Sequence, residues 1–279
     1  MSTIQGALQQ AAERFTTSDS AALDAQLLLA CVLGRSRSFL YTWPEHKLTR
    51  EQQRSFDALC ARRAKGEPVA YLLGKRAFWK AELEVTPAVL IPRPETELLV
   101  ELALRLGADF EGKVADLGTG SGAIALALAG ERPDWQVYAT ELSADAQNVA
   151  AANFRHAALP NLRLLAGSWC DPLPAHDFVL IASNPPYIDE RDPHLKQGDV
   201  RFEPRSALVA AEEGLADLRR IAEQARDYLI DGGLLLLEHG WQQGSTVRRL
   251  LEGLGYTEVR THFDHGNRER VTVGSKGAA

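Results

Sequence analysis

The chain has few cysteines and no long apolar run. Its 279 residues include Cys31, Cys60 and Cys170, an odd and widely spaced set. Such a set forms neither a disulfide framework nor a zinc-ligand pattern, so we expect a reducing, cytoplasmic location. The seven histidines contain no pair at i, i+4 spacing, which also argues against a bound metal. No apolar stretch approaches the ~20 residues needed to cross a bilayer, and the first fifteen residues lack the features of a signal peptide.

A basic excess is also lacking. The formal net charge is -6, and residues 1–73 carry nine Lys/Arg against seven Asp/Glu, which leaves -8 for the remainder. Proteins that grip nucleic-acid phosphates usually present a basic surface. We therefore expect no direct requirement for nucleic acid and no membrane association. With no coiled-coil pattern in the chain, we expect a monomer.

The N-terminal part of the sequence predicts a small helical bundle. Residues 4–15 and 22–33 have helical patterns, and Thr49 with Gln52 forms a capping-box pattern that opens a further helix. Strand-like segments first occur between residues 77 and 86. We expect a helical domain, followed by a β-hairpin linker.

Beyond the linker, strand-like and helix-like segments alternate along the chain. This alternation predicts an α/β domain built on an open, mostly parallel sheet. The last two strand-like segments, 258–262 and 270–273, are joined by a turn too short for a crossover helix, so the last strand should run antiparallel. The predicted boundaries are 1–73 for the helical domain, 74–92 for the linker and 93–279 for the α/β domain.

A glycine-rich loop stands between the first long strand and the next helix. Gly118, Gly120 and Gly122 let a ligand approach the backbone closely, and the helix behind them offers unpaired N–H groups. The loop predicts a nucleotide or nucleoside site. Gly118, Gly120 and Ala123 also satisfy the dinucleotide pattern, with Glu141 about twenty residues on. The loop by itself therefore leaves NAD and S-adenosylmethionine open.

Two acidic residues favour S-adenosylmethionine. Asp116 precedes the glycines, where its carboxylate would attract the ammonium group of this cofactor and would repel a pyrophosphate. Glu141 ends the second strand of the domain, a position suited to accepting hydrogen bonds from two ribose hydroxyls.

The segment Asn184–Tyr187, Asn-Pro-Pro-Tyr, follows an apolar strand. Its two prolines stiffen the loop, which lies at the carboxyl end of a parallel strand, where such sheets bind ligands. The side-chain oxygen of Asn184 and the carbonyl of Pro185 can accept the two hydrogens of a planar NH2 group. The nitrogen can then aim its lone pair at a methyl group, while Tyr187 packs on the planar face. We expect methylation of an amide or aryl NH2, with catalysis mainly by alignment.

Four segments, DLGTGSGAIALALA, SNPPYI, IPRPETE and LLLEHGWQQG, together with residues 192–210, resemble the PrmC/HemK family of release-factor glutamine methyltransferases. The resemblance spans essentially the whole chain. It implies a seven-stranded, class I (Rossmann-like) methyltransferase fold preceded by a helical substrate-recognition domain. It also implies methyl transfer from S-adenosylmethionine to N5 of the glutamine in the Gly-Gly-Gln motif of class 1 peptide chain release factors, in support of translation termination.

The resemblance also assigns roles to individual residues. It places the cofactor on Gly118, Thr119, Gly120, Ser121, Gly122, Glu141, Trp169 and Asn184. It places the glutamine amide on Asn184, Pro185, Pro186 and Tyr187, of which we expect Asn184, Pro185 and Tyr187 to be catalytic. Ser168 stands where the family commonly has an acidic residue beside the adenine amine. Arg93 and Glu95 would brace the site or cap the next helix, and we expect His239 to be structural.

Three other classes of function remain open on the residues alone. A methyltransferase acting on adenine or guanine would share the Asn-Pro-Pro-Tyr chemistry, but it would need a basic, base-reading surface. A nicotinamide oxidoreductase would use the glycine loop and leave residues 184–187 unexplained. A cofactor-binding adaptor without catalysis is disfavoured because Asn184 and Tyr187 are both intact.

Overall fold

The computed structural model describes residues 2–278 and divides into two compact units. The first comprises the chain up to Lys75 together with Pro193–Phe202, and the second comprises Arg76–Asp192 and the chain from Glu203 onward. The substrate-recognition role of residues 1–73 and the linker role of residues 74–92 stay predictions.

Five helices form most of the first unit. They are α1 (Ile4–Arg14), α2 (Ala21–Leu33), α3 (Arg37–Thr42), α4 (Arg50–Arg63) and α5 (Val69–Leu73). Their apolar faces bury Ile4, Leu28 and Phe56. The predicted capping box at Thr49 and Gln52 is formed, whereas the short α3 was missed in the sequence.

An ion pair connects the segment Pro193–Phe202 to the helices of this unit. The Nε of Arg63 donates to Oδ2 of Asp24 and its Nη1 donates to Oδ1 of Asp199, both at 2.8 Å. Asp24 also accepts from the hydroxyls of Ser18 and Ser20, at 2.7 and 2.9 Å. The side chains of Arg63 and Asp24 are almost fully buried, so each requires the other to offset its loss of hydration.

The second unit begins with a small sheet and a helix. The strands β1 (Lys75–Phe78) and β2 (Ala81–Glu84) pair with each other at the point where the chain enters this unit. A short 3-10 turn, Pro94–Thr96, then leads into α6 (Glu97–Leu106). Pro94 fits this position because backbone N–H groups in the first turn of a helix have no partner within the helix, so proline, which lacks an N–H, loses no hydrogen bond there.

A seven-stranded sheet forms the centre of the second unit. Its strands are β3 (Gly112–Leu117), β4 (Trp135–Glu141), β5 (Leu162–Ala166), β6 (Phe178–Ser183), β7 (Leu229–Glu238), β8 (Tyr256–Phe263) and β9 (Glu269–Lys276). Their order is β5-β4-β3-β6-β7-β9-β8, and β9 runs antiparallel to both β7 and β8. The predicted α/β fold with an antiparallel last strand is confirmed.

Helices cover both faces of this sheet. They are α7 (Ala123–Glu131), α8 (Ala144–Ala157), the single turn α9 (Ala211–Gly214), α10 (Ala216–Tyr228) and α11 (Gly244–Gly253). The two residues Val114 and Ala115 of β3 belong to two different apolar clusters, one with α6 and α7 and the other with α10 and α11. The central strands are therefore buried on both faces, which explains their continuous apolar sequences. Within residues 2–278, no helix combines the length and the apolar character needed to cross a membrane.

The register of the parallel strands brings four chain positions to one edge of the sheet. Leu117 at the end of β3 is paired with Thr140 of β4 and Ser183 of β6, and Ser183 is paired with Leu237 of β7. The residues that follow these positions therefore share the carboxyl edge, where open α/β sheets bind their ligands.

The charge group around Arg63 generates a stability prediction. We expect Arg63→Met to destabilise the helical unit by about 3–5 kcal/mol, because it leaves the buried carboxylate of Asp24 without its cation. Arg62→Met is the matched control, since Arg62 pairs with Glu67 while its own side chain is 53% exposed, and exposed pairs contribute only about 0–1 kcal/mol. Chemical denaturation followed by circular dichroism measures both variants. Equal losses for the two variants would contradict the assignment of the buried group as the stabilising one.

Candidate active site

A cavity of about 400 Å³ lies along the carboxyl edge of the sheet. This volume is in the range of small-molecule and cofactor sites. The predicted site residues that line it are Gly118, Thr119, Gly120, Ser121, Glu141, Trp169, Asn184 and Pro186. Gly122, Pro185 and Tyr187 lie outside its lining.

Each glycine of the loop has a different reason to lack a side chain. A Cβ on Gly118, whose φ is 69°, would lie 2.8 Å from Cζ3 of Trp169, whereas a Cβ on Gly120, at φ 57°, would meet open space. Gly118 thus lets the indole ring pack on the backbone, and Gly120 leaves the cavity open to a ligand. Gly122 begins α7 at φ 88°, and a Cβ there would overlap the ring of Phe154, so this glycine allows packing behind the cavity.

Asp116 braces the glycine loop from behind. It is fully buried, and its Oδ2 accepts from the Thr119 hydroxyl at 2.5 Å and from the N–H of Ala125 at 3.1 Å. Burial raises the pKa of this carboxyl to about 7. Asp116 is absent from the cavity lining, and the expected contact of its carboxylate with the cofactor's ammonium group stays a prediction. Its Oδ1 has no hydrogen-bond partner within residues 2–278.

Glu141 presents a fixed carboxylate to the cavity. Its Oε2 accepts from the N–H of Gly120 and its Oε1 accepts from the N–H of Ser143, both at 2.9 Å. Each carboxylate oxygen has a further lone pair. The two backbone contacts therefore hold the side chain in place while it remains able to accept hydrogen bonds from a ligand.

Trp169 forms one wall of the cavity in an uncommon backbone conformation. Its φ is 46°, in the left-handed region that residues other than glycine seldom adopt. Such strain persists where the surroundings enforce it, and it is concentrated at functional sites. The neighbouring Ser168 also lines the cavity, where its hydroxyl can accept a hydrogen bond.

The side chain of Asn184 is connected to two buried residues. Its Nδ2 donates to Oγ1 of Thr96 at 3.2 Å, and the hydroxyl of Thr96 is near enough to the carboxyl of Glu238 to lower its pKa. Glu238 ends β7 and is 1% exposed. Burial raises its pKa to about 7, although the hydrogen bond from Thr96 and the charge of Arg270 act in the opposite direction. Sequence reasoning missed Thr96 and Glu238, although they lie in the segments IPRPETE and LLLEHGWQQG, because nothing in those segments marks either residue for a direct chemical role.

The loop that carries Asn184 is held from several sides at Tyr187. The carbonyl of Tyr187 accepts from Nε2 of Gln243 at 3.0 Å, and Oε1 of Gln243 accepts from the N–H of Gly240 at 2.8 Å. Burial raises the pKa of its phenol well above the ordinary value, although the nearby Arg270 lowers it. The stiffness expected from the two prolines is thus supplemented by contacts to the residues after β7 and to β9.

Arg93 and Glu95 have different environments. The Nη2 of Arg93 lies 2.6 Å from Oε1 of Glu203, whose carboxyl is fully buried, and Arg93 lines the cavity. Glu95 lies in the 3-10 turn before α6 and is absent from the lining. Of the two roles considered for these residues, bracing of the site and capping of the next helix, the position of Arg93 suits the first.

His239, for which we expected a structural role, is buried next to the site. Its Nδ1 lies 2.9 Å from the carbonyl of Gly240 and its Nε2 lies 2.8 Å from Oγ1 of Thr272. Burial lowers its pKa, which disfavours the charged form. Among residues 2–278 there is no group of three or more His, Cys, Asp or Glu side chains arranged to hold a metal ion.

Several lining residues were not anticipated. Leu142, Ser143 and Ala146 follow Glu141 directly, and their position after a strand end could have indicated them. Asp217 and Arg220 come from α10, and no sequence signal marks them.

The cavity fits S-adenosylmethionine on observations of the chain itself. Gly120 leaves open space at the loop, Glu141 offers fixed acceptors, and Trp169 supplies a flat wall. The open space suits a ligand that approaches the backbone, the acceptors of Glu141 suit a ribose, and the flat wall of Trp169 suits an adenine.

Solved structures with the same fold are methyltransferases of diverse kinds. A methyltransferase from Pyrococcus furiosus is 21% identical with a TM-score of 0.54, over 78% of this chain and 98% of that one. The hMettl16 catalytic domain, solved in complex with an RNA hairpin, is 16% identical with a TM-score of 0.56, over 79% of this chain and 82% of that one. At these identities the likeness shows the fold alone.

Sequence comparison is more specific. The family model for the PrmC N-terminal domain matches residues 6–74, and that for the methyltransferase small domain matches residues 94–200. Release factor glutamine methyltransferase of Escherichia coli K12 is 51% identical over 96% of both chains. The enzyme of the same name from Vibrio cholerae is 52% identical over 98% of this chain and 96% of that one. The chain therefore belongs to the family of release factor glutamine methyltransferases, as its sequence motifs predicted.

Proposed function

We propose that this chain transfers a methyl group from S-adenosylmethionine to N5 of the glutamine in the Gly-Gly-Gln motif of class 1 peptide chain release factors. The observation that carries the proposal is the side chain of Asn184, which lines the cofactor cavity and has its Nδ2 bound to Thr96. Its oxygen is then available to a substrate NH2 group. The names of relatives about 51% identical support a release-factor glutamine as that group.

Three contacts would hold the cofactor. Glu141 would accept the ribose hydroxyls, Trp169 would flank the adenine, and the space beside Gly120 would admit the ligand to the backbone. When bound, S-adenosylmethionine supplies a methyl group that is electrophilic because it is attached to a positively charged sulfur.

Asn184 and Pro185 would prepare the substrate nitrogen. The lone pair of an amide nitrogen is delocalised into the carbonyl, which makes the nitrogen a poor nucleophile. The Asn184 Oδ1 and the Pro185 carbonyl would accept its two N–H groups, so that the nitrogen can pyramidalise and direct its lone pair at the methyl carbon. As the nitrogen–carbon bond forms, the carbon–sulfur bond breaks, and the methylated nitrogen then releases its extra proton to water. Alignment of this kind can contribute about 7–11 kcal/mol.

The partner and the setting follow from the same proposal. The helical residues 1–73 would recognise the release factor, residues 74–92 would link the domains, and residues 93–279 would perform the chemistry. The formal charge of -6 supports a protein substrate without a direct requirement for nucleic acid. We place the enzyme in the cytoplasm, where release factors act, and we expect a monomer.

Mapping the product tests the proposed substrate. We expect purified protein, incubated with labelled S-adenosylmethionine and a class 1 release factor, to place one methyl group on the Gly-Gly-Gln glutamine, located by peptide mass spectrometry. A release factor with that glutamine replaced by glutamate is the control, because it lacks the amide NH2. Label on nucleic acid alone, or on the control protein, would overturn the substrate assignment.

Asn184 can be tested apart from cofactor binding. We expect Asn184→Ala to lower kcat by roughly two to three orders of magnitude, as loss of a preorganised hydrogen-bonding group at a reacting centre does. The affinity for S-adenosylmethionine, measured by calorimetry, should stay near wild type. Asn148→Ala, on the exposed face of α8, is the matched control. Collapse of cofactor binding in Asn184→Ala would mean that Asn184 serves the cofactor and not the substrate.

Replacement of Glu141, in contrast, should weaken the binding of S-adenosylmethionine. We expect Glu141→Ala to raise the Kd for S-adenosylmethionine roughly 10–100-fold, because hydrogen bonds to a charged group contribute about 1.5–3 kcal/mol. Glu101→Ala removes an exposed carboxylate of α6 and should leave the Kd unchanged. An unchanged Kd in Glu141→Ala would remove this residue from the cofactor site.

A further inference from the structure

Three side chains from separate elements lie close together, and the series ends at the cavity. Glu238 is the last residue of β7, Thr96 closes the turn before α6, and Asn184 follows β6. The Thr96 hydroxyl accepts from Nδ2 of Asn184 at 3.2 Å and is near enough to the Glu238 carboxyl to lower its pKa. Glu238 and Thr96 are 1% and 4% exposed, so water does not compete freely for their polar groups.

Glu238 sets the direction of a hydrogen-bonded chain through these three side chains. An ionised carboxylate is only an acceptor, so it attracts the single hydroxyl hydrogen of the neighbouring Thr96. The Thr96 oxygen can then only accept, and the partner that it accepts from must be the NH2 end of the Asn184 amide. The two ends of an asparagine amide are nearly equal in shape and opposite in hydrogen bonding. This arrangement selects one of the two orientations.

We propose that Thr96 is a positioning residue for methyl transfer, which, with Glu238 behind it, keeps the oxygen of Asn184 directed at the substrate NH2 group. The inference rests on the proposed role of Asn184 as an acceptor. In the flipped orientation Asn184 would present its own NH2 to the NH2 of the substrate, and two donors cannot form a hydrogen bond. Thr96 itself lines the cavity, and the role proposed here is exerted through its hydrogen bond to Asn184.

The surroundings of Glu238 decide the pH above which it is only an acceptor. Burial raises the pKa of this carboxyl to about 7, Arg270 and Arg93 lower it, and Glu95 raises it. The charge of Glu238 in turn raises the pKa of the Tyr187 phenol. At alkaline pH the carboxyl is therefore ionised, so assays at alkaline pH test the hydrogen-bonded chain with Glu238 as its acceptor.

The decisive variant is Thr96→Val, which removes the hydroxyl and keeps a branched side chain of similar shape. We expect kcat at alkaline pH to fall roughly 10–100-fold, as it does when a residue that orients an active-site group is lost. The KM values for the release factor and for S-adenosylmethionine should stay within about threefold of wild type. Thr96→Ser keeps the hydroxyl and should retain most of the wild-type kcat.

A matched control is available in β4. Thr140 is fully buried, and its hydroxyl has no hydrogen-bond partner within residues 2–278. Thr140→Val is thus the same substitution at a buried site that is not part of the proposed hydrogen-bonded chain, and we expect its kcat to match wild type. Equal losses of kcat in Thr140→Val and Thr96→Val would overturn the proposal.

A double-mutant cycle tests whether Thr96 acts through Asn184. In single-turnover assays, Thr96→Val should lower the rate in the wild-type background and leave it unchanged in the Asn184→Ala background. Equal losses in both backgrounds would contradict the positioning role. If Thr96→Val does not fold, Thr96→Cys and Thr96→Ser replace it, because they match in shape while the thiol is the weaker hydrogen-bonding group. Equal kcat values for that pair would then overturn the proposal.

The outcomes separate this inference from the proposed function. If the wild-type protein leaves the release-factor glutamine unmodified, the proposed function fails. If wild type and Thr96→Ser methylate the glutamine and folded Thr96→Val does so at the wild-type rate, only the positioning role of Thr96 fails.

Discussion

The common direction of the central strands is the constraint on which the site depends. Because β3, β4, β6 and β7 are parallel and in register, the residues that follow them meet at one edge of the sheet. The glycine loop, Glu141, Asn184 and Glu238 come from positions far apart in the chain, and each is placed within one residue of a strand end. A rigid scaffold of this kind fixes groups more closely than independent loops would.

Holding these groups in place has a cost in stability. Asp116 and Glu238 are buried carboxyls that support the glycine loop and Asn184, and burial raises the pKa of each to about 7. Between pH 4 and 7, roughly, the folded protein keeps protons that the unfolded chain has released, so these two groups make its stability fall as the pH rises. Above about pH 7 both are ionised and their full cost is present. The site is thus best organised where the fold is penalised most, a common trade-off at functional sites.

The sequence was sufficient for features that depend on local pattern. Alternating apolar segments predicted the sheet and its covering helices, and the short turn between the last two strands predicted that β9 is antiparallel, which the pairing confirms. Gly118 and Gly120 were recognisable as part of a ligand loop; both have positive φ, and Gly120 borders open space. The roles of Glu141, Trp169 and Asn184–Tyr187 in binding stay predictions, although most of these residues line the same cavity.

What could not be predicted depends on contacts between distant parts of the chain. Asp116 precedes the glycines, yet the hydrogen bonds that its carboxyl accepts from Thr119 and Ala125 could not be read from the sequence. The importance of Thr96 arises from its contact with Asn184, 88 positions later. Likewise, the grouping of Pro193–Phe202 with the N-terminal helices rests on the Arg63–Asp199 ion pair, which no periodicity in the sequence reveals.

The fold restricts the chemistry much more than it restricts the substrate. Structures with TM-scores of 0.53–0.56 include an rRNA N2 methyltransferase and the RNA-bound hMettl16 domain, so the fold does not by itself specify the methyl acceptor. In our proposal, a planar NH2 group is selected by an acceptor side chain, Asn184, whose orientation is fixed by buried residues. Selection of a protein glutamine over a nucleobase must then come from surfaces that contact the rest of the substrate. We proposed the helical residues 1–73 for that task, and their unit also includes Pro193–Phe202, which begins shortly after Tyr187 in the sequence.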